Sequence, residues 1–282
     1  MDYVQYSLSP IPFEPWNEIL VAELSEIGFE SFMEEEKIVL AYIPESSENS
    51  VAIESILDGF KTKNDLVFTW SRKNIKHQNW NAVWESNFEP VFIENSLSIV
   101  APFHDASSRK NRVIEIDPKM SFGTGHHQTT FLMCKEILSL ALEGKSILDM
   151  GTGTGVLAIL AEHLGAKQCI AIDIESWSVE NTKSNALRNG CTKIIALEGG
   201  VSKIPSMQFD YIFANINKNV LKEQMKTYAL NLKPDGILLL SGFFITDVDE
   251  LVLFANKLGL AKVGIREKEN WALIKLEKTT MV

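Results

Sequence analysis

The 282-residue sequence predicts an α+β domain followed by a larger α/β domain built on a parallel sheet. In the first seventy residues, short patterns follow one another in the order strand, helix, hairpin, helix, strand. From Ser146 onward, apolar strands alternate with amphipathic helices, an arrangement typical of a parallel sheet covered by helices. These two observations define the predicted fold class.

The first part, residues 1–70, has the element order of a ferredoxin-like domain. "YVQYSLS" alternates apolar and polar residues and predicts a strand, and "WNEILVAELSEIG" places its apolar residues on one helical face. "FESFMEE" and "KIVLAYI" predict a hairpin, "SVAIESILDGF" a second helix and "DLVFTW" a last strand. This order predicts a ferredoxin-like fold. The alternative is that these elements extend the main sheet.

A helical linker is predicted at residues 71–95, because "NWNAVWESNFEPVF" has apolar residues near helical spacing before Pro90 ends the helix. The second domain is placed at residues 96–282. It starts with a short β region, "SLSIVAPF" and "RVIEIDP", followed by main strands at "SILDMG", "CIAIDI", "IIALEG", "FDYIFANI" and "GILLLSGF". The tail, "AKVGIREKENWALIKLEK", predicts an antiparallel hairpin at the sheet edge.

Composition excludes several classes of protein. No stretch approaches the roughly 18 uninterrupted apolar residues of a membrane span, and the start of the chain lacks a basic segment followed by an apolar run. We therefore expect a cytoplasmic protein with no membrane partner. We also expect a monomer. Cys134, Cys169 and Cys191 have no C-x-x-C spacing, and His126 and His127 are adjacent without a third ligand at a plausible spacing. The sequence predicts no disulfide framework and no metal site.

Charge is divided unevenly along the chain. Residues 1–70 hold fourteen acidic and three basic residues, a balance of -11, whereas residues 71–282 hold 23 acidic and 24 basic residues, a balance of +1. An acidic first domain favours a basic partner. We expect no direct binding to DNA, because phosphate binding relies on clustered Lys and Arg.

The glycine loop in "ILDMGTGTGVLAI" indicates the cofactor. Its glycines, Gly151, Gly153 and Gly155, fit neither G-x-G-x-x-G nor a P-loop, so a diphosphate is not required. Asp173 ends the next apolar run, where a carboxylate can accept hydrogen bonds from both hydroxyls of a ribose. S-adenosylmethionine has a ribose and no diphosphate. The segment resembles the first two motifs of class I methyltransferases, which implies a Rossmann-like domain.

Asn215 indicates the kind of methyl acceptor. "FDYIFANI" places it at the carboxyl end of the fourth main strand, on the rim where open α/β sheets bind ligands. Amino-group methyltransferases often use an Asp or Asn there to accept a hydrogen bond from the target nitrogen. The alternative is that Asn215 is only a turn residue at the strand end.

Several motifs together resemble the PrmA family, the methyltransferases that modify large-subunit ribosomal protein eleven. They are "DPKMSFGTGHHQTT", "ILDMGTGTGVLAILAEHLGA", "AIDI", "FANI" and the connector "NWNAVWESNFEPVFI". The most specific is the F-G-T-G-x-H-x-T-T stretch, Phe122 to Thr130. The resemblance implies transfer of methyl groups from S-adenosylmethionine to lysine and α-amino groups of that ribosomal protein, with the acidic domain recognising the substrate.

The resemblance also implies individual roles. Thr130 would contact the cofactor, Gly151 would lie under its methionine portion with Gly153 in the same loop, Asp173 would take the ribose, and Asn215 would sit at the methyl-transfer centre. A loop that covers the cofactor and closes on substrate arrival would comprise Phe122, Gly123, Thr124 and Gly125. The sequence departs from the family pattern at Lys119, where glycine is common, and at Thr152, where cysteine is frequent. It also departs beyond Ile216, which leaves the roles of Asn217 and Lys218 open.

Two other functions are weighed against this one. An RNA or DNA amino-methyltransferase could share Asn215, but the acidic first domain and the lack of a basic patch argue against it. A non-catalytic adaptor could keep a methyltransferase fold, but the intact glycines, Asp173 and Asn215 argue against that.

Overall fold

The computed structural model describes residues 2–64, 66–76, 80–108 and 111–279. Contacts between residues divide the chain into two compact units, Met1–Asn87 and Phe88–Val282.

The helices and strands of the first unit follow the predicted order. They are β1 (Tyr3–Ile11), α1 (Trp16–Glu26), β2 (Ser31–Glu35), β3 (Ile38–Pro44), α2 (Ser50–Asn64), β4 (Val67–Ile75) and α3 (Trp80–Asn87). The strands form one antiparallel sheet in the order β2-β3-β1-β4. This confirms the ferredoxin-like topology, and because the sheet is separate from the main sheet, the alternative of an extended main sheet is wrong.

Local signals explain why these elements begin and turn where they do. The side chain of Asn49 accepts a hydrogen bond from the backbone N–H of Ala52 and caps α2. The hairpin between β2 and β3 turns through Glu36 and Lys37, whose φ angles are 46° and 67°. Two consecutive positive φ angles are typical of a type I′ turn, which matches the twist of the flanking strands.

The core of the first unit lies between the sheet and helices α1 and α2. Alternate residues of β1 are fully buried, as expected for a strand with one face against a core. They pack with apolar residues of both helices in a cluster that includes Val4, Tyr6, Leu8, Leu20, Leu24, Ile53 and Leu57.

The predicted boundary at residue 70 falls inside β4, which continues to Ile75. Its pairing with β1 extends to the Tyr3–Ile75 pair, so residues 71–75 belong to the first unit. The sequence did not indicate this extension, because "SRKN" is polar and is held by backbone pairing to the nine-residue β1. The predicted linker, residues 71–95, therefore contains the end of β4, the helix α3 and the first strand of the second unit.

The corrected limits keep the difference in charge. Residues 1–87 contain fifteen acidic and six basic residues, a balance of -9, and residues 88–282 contain 22 acidic and 21 basic residues, a balance of -1. The first unit remains the acidic one. One of its basic residues, Arg72, forms an ion pair of 2.6 Å with the nearly buried Glu48.

The second unit begins with a small three-stranded sheet that precedes helix α4. Its strands β5 (Val91–Ile93), β6 (Leu97–Val100) and β7 (Arg112–Glu115) lie in that order, with β5 antiparallel and β7 parallel to β6. Helix α4 (Gln128–Ile137) follows. The side chain of His127 caps it, because its Nδ1 accepts a hydrogen bond from the backbone N–H of Thr129 at 3.3 Å.

The remaining elements build the main sheet and its covering helices. They are β8 (Ser146–Met150), α5 (Val156–His163), β9 (Gln168–Asp173), α6 (Ser176–Arg188), β10 (Ile194–Glu198), β11 (Phe209–Asn215), α7 (Lys218–Asn231), β12 (Leu232–Phe244), α8 (Val248–Asn256), β13 (Leu260–Lys268) and β14 (Trp271–Lys278). The strand order is β10-β9-β8-β11-β12-β14-β13. The first five of these strands are parallel, and β14 and β13 form the expected antiparallel hairpin at the edge.

Burial on both faces makes the central strands continuous apolar runs. Along β9, Cys169 and Ala171 face one core cluster, and Ile170 and Ile172 face the other. The direction of strand succession reverses between β8 and β11, so the carboxyl ends of these two strands form the topological switch point where open α/β sheets bind ligands.

The three cysteines are free thiols, and burial raises the pKa of the Cys191 thiol to about 12.

Candidate active site

The glycine loop joins β8 to α5 at the switch point. Gly151 and Gly153 have φ angles of 70° and 57°, a region that side-chain-bearing residues rarely adopt. A Cβ atom on Gly151 would lie 2.3 Å from Cγ2 of Ile216, and one on Gly153 would lie 2.1 Å from the carbonyl oxygen of Phe122. Both positions therefore require glycine, because Ile216 and Phe122 lie too close to the loop to leave room for a side chain.

A cavity of about 390 Å³ opens at this edge of the sheet. Five predicted site residues line it: Phe122, Gly151, Gly153, Asp173 and Asn215. The sequence reasoning missed others, including Met120, Ile174, Trp177, Gly199, Gly200 and Gln224. Of these, Ile174 directly follows Asp173, and the Gly199–Gly200 pair follows β10 at the same edge of the sheet. Because both lie next to strand ends, the sequence could have placed them at the cavity.

Four other predicted site residues are not part of the wall of this cavity. They are Gly123, Thr124, Gly125 and Thr130. Thr130 is buried in α4 and reaches the cavity through Asn215, whose Nδ2 donates a hydrogen bond to the Thr130 hydroxyl at 3.5 Å. Direct contact between Thr130 and the cofactor stays a prediction.

Asp173 lies at the end of β9 and faces the cavity. Its Oδ2 accepts a hydrogen bond from the backbone N–H of Gly153 at 2.9 Å, and its Oδ1 accepts one from the N–H of Glu175 at 3.0 Å. A carboxylate can accept about four hydrogen bonds, so each oxygen keeps capacity for one more donor. The two backbone contacts fix the carboxylate at the cavity, and its contact with a ribose stays a prediction.

A second carboxyl group, Asp149, is fully buried beneath the glycine loop. Its Oδ2 accepts a hydrogen bond from the hydroxyl of Thr152 at 2.7 Å. Burial raises the pKa of Asp149 to about 7, because a charged carboxylate loses solvation there. Thr152, at which the sequence departs from the family pattern, is thus a hydrogen-bond donor in this loop.

Asn215 closes β11 beside Gly151. Its side-chain Oδ1 is buried and has no hydrogen-bond partner within the described part of the chain. A buried acceptor without a partner is costly and is usually explained by a missing ligand or water. Asn215 also lines the cavity, so a group bound there is a candidate partner for this oxygen.

The segment after β7 lies against the glycine loop. The carbonyl oxygen of Phe122 accepts a hydrogen bond from the N–H of Thr154 at 2.9 Å, and that of Gly123 accepts one from the Thr154 hydroxyl at 2.6 Å. The predicted covering loop is therefore attached to the glycine loop. The side chain of His126 orders the next turn, since it hydrogen bonds to Thr124 at 3.0 Å and to the carbonyl oxygen of Glu89 at 2.8 Å.

The two residues whose roles the sequence left open have structural partners. The side chain of Asn217 accepts a hydrogen bond from the N–H of Val220 and caps α7. Lys218 forms ion pairs with Asp247 at 2.7 Å and with Glu250 at 3.2 Å, and these carboxylates raise the pKa of its amine.

Within the part of the chain that the structure describes, no group of three or more His, Cys, Asp or Glu side chains is arranged to hold a metal ion. No helix among the described residues is both long enough and apolar enough to cross a membrane.

The fold and the cavity define a class I methyltransferase that uses S-adenosylmethionine. The residues fit this cofactor: the backbone of Gly151 and Gly153 lets a ligand approach closely, the carboxylate of Asp173 suits a ribose, and the apolar side chains of Ile174 and Trp177 suit an adenine ring.

Comparison with known proteins gives the family. A family model described as ribosomal protein L11 methyltransferase (PrmA) matches residues 17–279, and the chain belongs to this family. It is 40% identical over 278 residues to the ribosomal protein L11 methyltransferase of Bacteroides fragilis, covering 98% of this chain and 99% of that protein. It is also 40% identical over 283 residues to the protein of the same name from Porphyromonas gingivalis, covering 98% and 97%.

Solved structures agree with this result. A ribosomal protein L11 methylase from Lactobacillus delbrueckii subsp. bulgaricus superposes with a TM-score of 0.63 at 25% identity, covering 68% of this chain and 100% of that chain. A methyltransferase from Pyrococcus furiosus has a TM-score of 0.51 at 16% identity, covering 59% and 90%, and shows the fold alone. The predicted family, fold class, cofactor and methyltransferase activity are thereby confirmed.

Proposed function

We propose that this methyltransferase transfers methyl groups from S-adenosylmethionine to lysine and α-amino groups of ribosomal protein L11. The family, and the name that its relatives carry, support the choice of substrate. The observation that carries the choice of an amine is Asn215, a residue of the cavity wall whose buried Oδ1 has no hydrogen-bond partner among the described residues. An attacking amine has an N–H to donate to this oxygen.

The main demand on the protein is geometric. When bound, S-adenosylmethionine supplies a methyl group on a positively charged sulfur, and the attacking nitrogen must approach opposite that sulfur. By accepting one N–H of the amine, Asn215 directs the nitrogen lone pair toward the methyl group. Such alignment can lower the activation barrier by up to ~7 to 11 kcal/mol.

The amine must also lose its proton, since a lysine has a reference pKa of about 10.4. Burial of the amine against apolar side chains favours its neutral form, because desolvation penalises the charged ammonium. Met120 and Phe122 provide such a surface beside the cavity. They are at least half exposed, so an incoming protein segment can cover them.

We further propose that the first unit recognises the substrate. Its charge balance of -9 complements a basic protein, and such complementarity mainly raises the rate of association. We propose the same division of the chain into this domain, a helical connector and the methyltransferase domain. We also propose that the protein is a monomer and acts in the cytoplasm. Light scattering of the purified protein tests the monomeric state.

The test uses the full chain, isotopically labelled S-adenosylmethionine, unmethylated ribosomal proteins and ribosomal RNA, and mass spectrometry locates the label. The proposal requires label on lysine and α-amino nitrogens of L11. Label on RNA instead would support the nucleic-acid alternative, and cofactor binding without transfer to any ribosomal protein would support an adaptor.

A further inference from the structure

One face of α6 is polar and buried, although helices usually bury apolar faces. Ser178, Asn181, Thr182 and Asn185 are each at most 5% exposed. Burying polar side chains is costly unless they form hydrogen bonds, so their partners indicate what this face is for.

For Thr182 and Asn185, the partners are backbone groups of the two segments that line the cofactor cavity. The hydroxyl of Thr182 donates to the carbonyl oxygen of Gly153 at 3.0 Å. The side chain of Asn185 contacts both segments at once: its Nδ2 donates to the carbonyl oxygen of Thr154 at 3.0 Å, and its Oδ1 accepts from the backbone N–H of Asp117 at 3.0 Å.

Together with the contacts of Thr154, these hydrogen bonds hold both ends of residues 117–123. Asn185 holds the start of this segment at Asp117 and also holds Thr154. Thr154 in turn holds the end of the segment, through the carbonyl oxygens of Phe122 and Gly123. Both ends of the segment are thus attached to one pair of residues, Asn185 and Thr154.

The middle of the segment is only partly held, by the buried Ser121, and an ion pair of 3.7 Å between Arg188 and Asp117 adds to the contacts of its start. Met120 is 96% exposed, and a second cavity, lined by residues 118–121 and Trp177, lies beside the cofactor cavity. The side chain of Ser121 receives a long hydrogen bond of 3.4 Å from Ser178. The position of the segment therefore depends on its attached ends.

We propose that Asn185 is a positioning residue for the cofactor site. It sets the spacing between residues 117–123 and the glycine loop, so that Phe122 and Gly153 form one wall of the cofactor cavity before the cofactor binds. It acts through these backbone groups and is not itself part of the cavity wall.

Asn189, one turn beyond Asn185, provides a matched control. Its side chain accepts from the N–H of Glu115 at 2.8 Å and donates to the carbonyl oxygens of Glu115 at 2.7 Å and of Asn185 at 2.8 Å. Like Asn185, it joins α6 to backbone groups at or just before the start of residues 117–123, but it makes no contact with the glycine loop and follows the last residue of α6.

The experiment compares Asn185→Ala with Asn189→Ala in the full-length protein. Calorimetry measures the dissociation constant of S-adenosylmethionine. Hydrogen exchange without cofactor follows the backbone N–H of Thr154, which is bonded to Phe122 and to neither of the two asparagine side chains. We expect Asn185→Ala, which removes both buried hydrogen bonds of this side chain, to weaken cofactor binding about tenfold or more and to speed this exchange. Asn189→Ala should stay within about twofold of the parent in both measurements, even where both variants lower the melting temperature.

Equal effects of the two variants, or no effect of Asn185→Ala, would overturn the proposal. If Asn185→Ala does not fold, Asn185→Asp replaces it. The aspartate can still accept the N–H of Asp117, but it places an oxygen against the carbonyl oxygen of Thr154. We expect the same weakening of cofactor binding from this variant, and parental affinity would contradict the assignment.

Discussion

Substitution of Asp149 by Asn is expected to change how stability depends on pH. The carboxyl group is fully buried, and its pKa is raised to about 7 by loss of solvation. A group whose pKa is raised on folding contributes its stability fully below its unfolded pKa, and this contribution is lost as pH rises through the folded pKa. The parent protein should therefore become less stable relative to Asp149→Asn as pH increases.

The size of the effect follows from the difference in pKa. The pKa of about 7 lies roughly three units above the value of about 3.9 in an unfolded chain, which corresponds to roughly 4 kcal/mol in total. Linkage places roughly 2 kcal/mol of this between about pH 5.5 and about pH 8.5. The asparagine does not titrate, so its variant lacks this contribution.

The assay is urea unfolding followed by tryptophan fluorescence, with parent and variant measured side by side so that other titrating groups cancel. Thr152→Val serves as a second variant. It removes the donor to Oδ2 of Asp149, so the pKa of Asp149 should rise further and the loss of stability should move to higher pH. A difference between parent and Asp149→Asn that stays constant across this range would refute the reasoning.

Three further outcomes are expected. Asp173→Ala should weaken cofactor binding by roughly tenfold or more, because hydrogen bonds to a charged group contribute about 1.5 to 3 kcal/mol; unchanged affinity in calorimetry would argue against the ribose contact. Gly153→Ala should abolish measurable cofactor binding, since its Cβ would lie 2.1 Å from the carbonyl oxygen of Phe122, whereas Gly190→Ala, also at positive φ but with nothing within 4 Å, should bind normally. For the full-length enzyme, kcat/KM with ribosomal protein L11 should fall as salt rises from about 0.05 M to about 0.3 M, because screening weakens attraction to the acidic first unit; a salt-independent kcat/KM would leave the charge with a solubility role only.

Much of the fold could be predicted because its signals are local and periodic. The apolar runs ending at Met150, Asp173 and Asn215 are strands buried on both faces, and such runs are distinctive in a sequence. The end of β4 was missed because its polar residues are held by backbone pairing to β1, which leaves no side-chain pattern. Strand β5 was missed for a related reason, since its three residues are too few to show a period.

The site was only partly predictable for a different reason. Gly151, Asp173 and Asn215 lie at strand ends, and strand ends of a parallel sheet meet at one edge, so the sequence pattern brings them together. The contacts of Asn185 depend on how α6 packs against two distant segments, one of them 68 residues away. No local spacing encodes such a contact.

The most direct test of the account is the effect of Asn215→Ala on two separate quantities, the affinity for S-adenosylmethionine and the single-turnover rate of methyl transfer to ribosomal protein L11. Because Oδ1 of Asn215 is proposed to orient the amine, the variant should bind the cofactor within a few fold of the parent and transfer methyl groups far more slowly. Asn215→Asp keeps an acceptor oxygen and should recover part of the rate. An Asn215→Ala variant that transfers methyl groups at the parental rate would contradict the account and leave Asn215 as a turn residue at the end of β11.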